Sequence, residues 1–276
     1  MKLASYSDGS RDGQLVVVSR DLSLAHYATG IATRLQQLLD DWGFISPQLE
    51  DLYTQLNHGK LRHAFAFEPQ RCLAPLPRAS AFAAPDWLPG DAALGPRQAA
   101  RFADASLGIE GEAGFAAICG DIAVGASAAA GLEGVRLLAL MQRWRLREWP
   151  DAAPPPAFAP VAVTPDELGA AWTKGRVDLA VQRQRNGRRV DDARIDAGFG
   201  AAIARTARAR RLGAGTIVGM GAAEAIADTY QFGDSLRVEV RGLDGQTVFG
   251  AIEQEVASLR DAAPRETPDE ERQKNA

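Results

Sequence analysis

Histidine is nearly missing from this 276-residue chain: His26, His58 and His63 are the only three, and all fall in its first quarter. Chemistry built on imidazole, whether proton transfer or metal ligation, is therefore poorly supplied. Cysteine is just as scarce. Cys72 and Cys119 lie far apart and fit no metal-binding spacing, the pattern of two reduced, buried thiols in a cytoplasmic protein. No apolar run approaches the ~20 residues needed to span a bilayer. The amino-terminal MKLASYSDGSRDG is polar and turn-rich, unlike a signal peptide. A formal net charge of −4 gives no general electrostatic case for nucleic acid. Neither a membrane nor a nucleic acid is expected as a partner.

What the chain does have is core material. It is 46% hydrophobic, and its length suits one large domain or two small ones. The stretch around which the rest is organised is Leu107–Asp121, LGIEGEAGFAAICGD. It is small and apolar except for Glu110 and Glu112. A strand turns alternate side chains to the same face, so the two glutamates share one side of it. Two carboxylates facing one spot repel unless a proton or cation lies between them, and hard cations such as Mg²⁺ take such oxygens. The stretch reads as the floor of a metal site.

Along the chain, Met1–Tyr6 and Gln14–Ser19 read as a hairpin across Asp8-Gly9-Ser10. Ile31–Asp41 has helical spacing, and a second helix is predicted to start at Ser46-Pro47 and end near Asn57-His58-Gly59. Phe67–Pro77 reads as a short strand and Arg78–Ala105 as a loop region. Val135–Trp149 sets an apolar patch before Arg143, Arg145 and Arg147. Phe158–Val163 is a predicted strand, and Thr164-Pro165-Asp166-Glu167 a helix start. Val177–Gln184 turns at Asn186-Gly187 into Arg188–Val190. A helix over Gly200–Arg211, a buried strand over Gly215–Gly219, and strands over Ser235–Arg241 and Gln246–Val256 follow. The charged tail, Ala262–Ala276, is expected to be disordered.

Several blocks then carry a resemblance: MKLASYSDGSRDGQLVVVSRDLS, CLAPLPRA, LGPR at Leu94–Arg97, GIEGEAGFAAI, FAPVAVTPDELGAAW, LGAGTIVGMG and FGDSLRVEV. In this order, nearly end to end, the chain resembles the fumarylacetoacetate hydrolase family. The resemblance implies an α+β fold: a small N-terminal α/β domain over residues 1–75 and a mixed β-roll main domain over 76–258, followed by the tail at 259–276. It also implies a homodimer. Family members typically use Mg²⁺ or Mn²⁺ to polarise an oxo acid, which they hydrolyse at a C–C bond, decarboxylate or isomerise.

The functional positions, carried over one by one, depart from the pattern. The family's metal site uses a Glu-x-Glu pair and a later aspartate. Aligned on the end of the strand, the first glutamate falls on Glu112 and the second on Gly114; shifted by two residues, the pair becomes Glu110 and Glu112. Gln142-Arg143 stands where Asn-Asp is expected, and an arginine cannot ligate a cation. Arg143 either pairs with Glu112 and replaces the ion electrostatically, or points to solvent. The family's lysine falls near Ala153, Ala222 replaces a substrate-touching hydroxyl, and Arg78–Leu94 is a short loop without the histidine helix of the family's lid.

Three readings follow. The first is a catalytically degenerate family member, a pseudoenzyme with no cofactor, whose scaffold is kept for binding or assembly with a second copy, an active paralogue or a small oxo acid. The second is an active, divergent C–C hydrolase or oxo-acid decarboxylase. In it Glu110 and Glu112 hold Mg²⁺ or Mn²⁺ or act as acid and base, and Asp121 or an arginine orients an anionic substrate. The third is a partner-binding role for the basic face of Arg143, Arg145, Arg147 and Arg205–Arg211. Glu110, Glu112 and Arg143 are the candidate site residues in the first two.

Overall fold

The computed structural model describes residues 1–83, 92–149, 152–195, 198–221 and 229–261. Position 222, part of the Arg78–Leu94 loop and the segment 262–276 lie outside the described residues. The expected amino-terminal hairpin is formed by β1 (Lys2–Tyr6) and β2 (Gln14–Val18), paired antiparallel from Lys2–Val18 to Tyr6–Gln14. After β3 (Leu24–Tyr27) come two helices, α1 (Leu35–Asp40) and α2 (Trp42–Asn57). The second helix begins five residues before Pro47, the first position the sequence predicts. Trp42 and Ile45 pack on the helical layer of the core and draw the first turn back to them. Pro47 then sits inside the helix; the carbonyl its missing N–H leaves unpaired belongs to Gly43, which faces solvent.

Next come β4 (Phe65–Ala66), β5 (Ala81–Ala83), β6 (Ala100–Phe102), the long β7 (Ile109–Cys119), α3 (Ala128–Glu133), the long β8 (Val135–Leu146) and β9 (Ala157–Val163). The strand expected over Phe67–Pro77 is absent. Pro69–Arg71 forms a 3-10 turn instead, and prolines at 69, 75 and 77 remove the donors a ladder needs. Thr164–Ala171 is also not the expected α-helix. Its 3-10 turns break at Gly169 (φ 50°), and the Thr164 hydroxyl donates to the Met1 carbonyl rather than capping.

The chain ends with β10 (Trp172–Thr173), β11 (Arg176–Val177), β12 (Ala180–Arg185), β13 (Arg188–Arg194), α4 (Phe199–Thr206), β14 (Thr216–Gly221), β15 (Ser235–Val240) and β16 (Ile252–Ser258). The α4 helix stops short of the predicted Arg211 because Leu212 is drawn into a β-bridge with Ile122. The last strand starts late because Gly250 turns at φ 76° just before it.

Two large sheets hold this together, beside the small two-stranded pair β10-β11. One has the order β4-β3-β2-β1-β9-β8-β7-β14-β5, so the amino-terminal strands continue the sheet of the central ones; the other is β13-β12-β15-β16-β6. This is the α+β arrangement expected of the mixed β-roll. Alternation along β7 and β8 sends Ala113, Phe115, Leu138, Leu140 and Trp144 into the core on one face of the large sheet. The opposite face carries Ala116, Ile118, Leu137, Ala139 and Met141, packed with Leu35, Leu38, Leu49 and Tyr53 of α1 and α2. Gly114, Glu112 and Glu110 on β7, with Arg143 and Arg145 on β8, continue that second face past the apolar stretch.

Candidate active site

The site stands on two neighbouring strands whose register fixes who meets whom. β7 and β8 pair antiparallel, with Glu112 opposite Arg143, Glu110 opposite Arg145 and Gly114 opposite Met141. β8 is held in place by Trp144, which points away from the site. Its indole Nε1 donates to Gln254 Oε1 at 2.8 Å, and its ring meets Phe102 and Tyr230 edge-on at 5.8 and 5.1 Å. Each such ring pair contributes about 0.5–1.5 kcal/mol beyond area burial. With Trp144 anchored in the core, Arg143 and Arg145 on either side of it are turned toward β7.

Arg143 Nη2 donates to Glu112 Oε2 at 2.9 Å, and Arg145 Nη1 donates to Glu112 Oε1 at 2.7 Å. Both carboxylate oxygens of Glu112 are engaged, and its side chain is only 11% exposed. Glu110 accepts from Arg147, whose Nε and Nη2 approach the same oxygen at 2.8 and 2.7 Å. Burial pushes the Glu112 carboxyl up, but hydrogen bonds from Arg145 and Arg143 outweigh it and leave the group below its ordinary value. Glu112 is an anion neutralised by guanidinium.

The other positions of the motif are also accounted for. Gly114 faces the end of β14: a Cβ there would meet the Met220 carbonyl oxygen and lie 2.7 Å from Gly221 Cα. No glutamate fits at 114 without moving β14. Gln142 is fully buried on the core side and donates through Nε2 to the Arg143 carbonyl at 3.0 Å. Position 143, which does face Glu112, carries the arginine. Asp121 lies beyond the far end of β7, exposed and 3.2 Å from Arg211, so it does not join the glutamates. His58 and His63 are exposed near the exit of α2. Cys72 and Cys119 are buried free thiols, and burial pushes Cys119 up to about 12.

These residues do not fit a divalent cation. Among the described residues no three His, Cys, Asp or Glu side chains converge on one point. The electrostatics agree. At a separation of 4 Å near a protein surface, two unit charges interact by about 4 kcal/mol, and a divalent ion doubles that. A guanidinium within hydrogen-bond distance of Glu112 therefore opposes any cation that approaches the same carboxylate.

Above Glu112 is a small recess of about 160 Å³, walled by Glu112, Met141, Arg143 and Arg205 with backbone from Gly219 and Gly221. Arg205, from the last turn of α4, is the residue that sequence reasoning missed at this site. It entered only as part of a basic face, and no local signal shows that α4 brings it over β7.

Residues 1–78 match the family model described as fumarylacetoacetase N-terminal domain 2. No curated protein matches the sequence. Among solved structures, maleylpyruvate hydrolase from Sphingobium sp. SYK-6 is similar, with a TM-score of 0.72, 17% identity and coverage of 94% of this chain and 100% of that one. The same enzyme in complex with manganese(II) and pyruvate superposes with a TM-score of 0.71 at 17% identity, covering 94% and 99%. Fumarylacetoacetate hydrolase from Exiguobacterium antarcticum gives a TM-score of 0.66 at 15% identity, covering 94% and 99%. At these identities the likeness is one of fold.

Proposed function

We propose that this chain, which has the fold of the fumarylacetoacetate hydrolase family and that family's N-terminal domain, keeps the scaffold without the metal-dependent reaction and acts by binding. The observation that carries this reading is the closure of Glu112 by Arg143 and Arg145. A guanidinium pair supplies the positive charge that an ion would bring, but it offers no open coordination position at which to polarise a carbonyl. Gly114, pressed against β14, supports the reading independently, because it leaves no room for a second carboxylate there. The partners that fit such a protein are a second copy of itself in a homodimer and an active paralogue.

The test is calorimetric titration of Mg²⁺ and Mn²⁺ into chelator-treated protein, followed by an assay for hydrolysis of maleylpyruvate with either metal present. No heat, no thermal shift and no turnover are expected. Stoichiometric metal binding that disappears in Glu112→Ala, together with turnover, would restore the active-enzyme reading in which Glu110 and Glu112 hold the ion.

A further inference from the structure

We propose that Lys2 is a reactive amine, which condenses reversibly with a small uncharged aldehyde in the cavity between β1, the turns of Thr164–Ala171 and the loop over 242–248. The cavity is on the face of the large sheet opposite Glu112. Along β1, Lys2 alternates with Met1 and Leu3, which belong to the helical layer, and shares its side with Ala4 and Tyr6.

The sequence singles out this amine. Only four lysines occur, Lys2, Lys60, Lys174 and Lys274, in a chain that otherwise takes its basic side chains from arginine. A guanidinium keeps its proton in a protein, whereas an amine can lose it and become a nucleophile. Lys60 and Lys174 are exposed; Lys2 is buried and lines a cavity of about 450 Å³. Among the described residues its Nζ makes one hydrogen bond, to the Val248 carbonyl at 2.9 Å. Glu167, Asp244 and Asp21 favour its proton and Arg20 opposes it, but burial outweighs them and lowers the pKa from 10.5 to about 8. Near pH 8 about half of the molecules therefore carry the free amine.

The lining narrows the class of partner. Its volume falls within the roughly 300–1,000 Å³ of small-molecule sites. Leu168, Leu179 and Val248 give an apolar wall that suits a short hydrocarbon body. The Thr247 hydroxyl, next to Val248 on the same loop, is buried with no hydrogen-bond partner among the described residues, which leaves a donor for a carbonyl oxygen. Once Lys2 is neutral, Arg20 and the Met1 amine, both paired with Glu167, stand against Asp166, Glu167 and Asp244. That excess of carboxylate disfavours an oxo acid and admits an uncharged aldehyde. In the step itself the Nζ lone pair attacks the carbonyl carbon and a C–N bond forms. The two Nζ hydrogens leave with the carbonyl oxygen as water, giving the imine, and addition of water reverses the reaction.

The experiment incubates the full chain at pH 8 with butanal or with glyoxylate, in the presence of sodium cyanoborohydride, which reduces an imine to a stable secondary amine. Peptide mapping then locates the adducts. Butanal is expected to modify Lys2 at least about tenfold faster than Lys60 or Lys174, since each unit by which a pKa falls raises the free-amine fraction about tenfold. With glyoxylate, whose carboxylate the lining repels, that preference for Lys2 should disappear. Lys2→Arg should lose the Lys2 adduct and keep the labelling of the exposed lysines. Adducts confined to Lys60, Lys174, Lys274 or the terminal amine, no adduct at all, or an equal preference for Lys2 with both aldehydes would each overturn the inference. If Lys2→Arg fails to fold, the map of the unsubstituted protein decides alone.

Discussion

Arg143 lies directly across the β7–β8 ladder from Glu112, and its Nη2 donates to Glu112 Oε2 at 2.9 Å. An arginine at a site-facing position converts a potential cation site into an internal ion pair. The pair is neither a loose surface contact nor a fully buried one: the two side chains are 22% and 11% exposed. The ladder sets the Cα positions opposite each other, so the contact forms without any backbone rearrangement. A pair so placed contributes to the stability of the two longest strands.

Removing one partner is therefore predicted to cost more than removing both. Glu112→Ala removes the carboxylate to which both Arg143 and Arg145 donate and should destabilise the protein by about 1–3 kcal/mol. Arg143→Ala leaves Glu112 its bond to Arg145 and should cost less. In a double-mutant cycle the Glu112–Arg143 coupling should be on the order of 1 kcal/mol. Chemical denaturation of the four proteins measures it, and a coupling of zero would mean that the contact is energetically idle.

Acid stability follows from the same contact. Glu112 is held below its ordinary value of 4.5 by hydrogen bonds from Arg145 and Arg143 acting against burial. A carboxyl whose folded pKa is depressed gives stability that is present above its unfolded pKa and lost as pH falls through the folded one. The melting temperature should thus fall on acidification below about pH 4.5, and Glu112→Gln should flatten that part of the profile. Parallel profiles for the two proteins would show that Glu112 does not contribute.

Much of this was legible in the sequence, and the residues show why. Glu110 and Glu112 share a face because strand alternation is local, and the amino-terminal hairpin follows from its turn residues. The failures are where distant contacts override local signals. Pro47 has the marks of a helix start, but Trp42 and Ile45 find the core and begin the helix earlier. Thr164-Pro165 has a capping sequence, but the Thr164 hydroxyl is taken by the Met1 carbonyl. Arg205 was visible as a charge but not as part of the site, because its place depends on how α4 crosses the sheet. The misfit at Gly114 was visible only as a missing carboxylate; its steric cause is the backbone of β14.

That cause is testable. Gly114→Ala adds one methyl, which would meet the Met220 carbonyl oxygen and the Gly221 backbone. Neither is the end of a flexible side chain, so the strand itself must move. A cost of about 1–3 kcal/mol is expected, the range for overpacking, and Gly114→Glu should be at least as damaging. If Gly114→Glu folded normally and bound Mn²⁺, the closure of this position by β14 would be wrong. Differential scanning calorimetry with and without Mn²⁺ decides it.

The amino-terminal strand makes a prediction at the opposite end of the pH scale. Lys2 is 4% exposed, and its Nζ donates to the Val248 carbonyl at 2.9 Å. Burial lowers its pKa from 10.5 to about 8, against an opposing pull from Glu167 and Asp244. Between those two values the unfolded chain holds the Lys2 proton more often than the folded chain does. With more protons bound in the unfolded state, this residue's contribution to stability rises with pH across the window from about 8 to 10.5. Tyrosines and the buried thiols act in the opposite direction at high pH, so the Lys2 effect is read as a difference. The stability of the protein relative to Lys2→Met should increase from pH 8 to pH 10.5. A constant difference across that range would show that Lys2 keeps an ordinary pKa in the fold, and that its bond to Val248 compensates fully for burial.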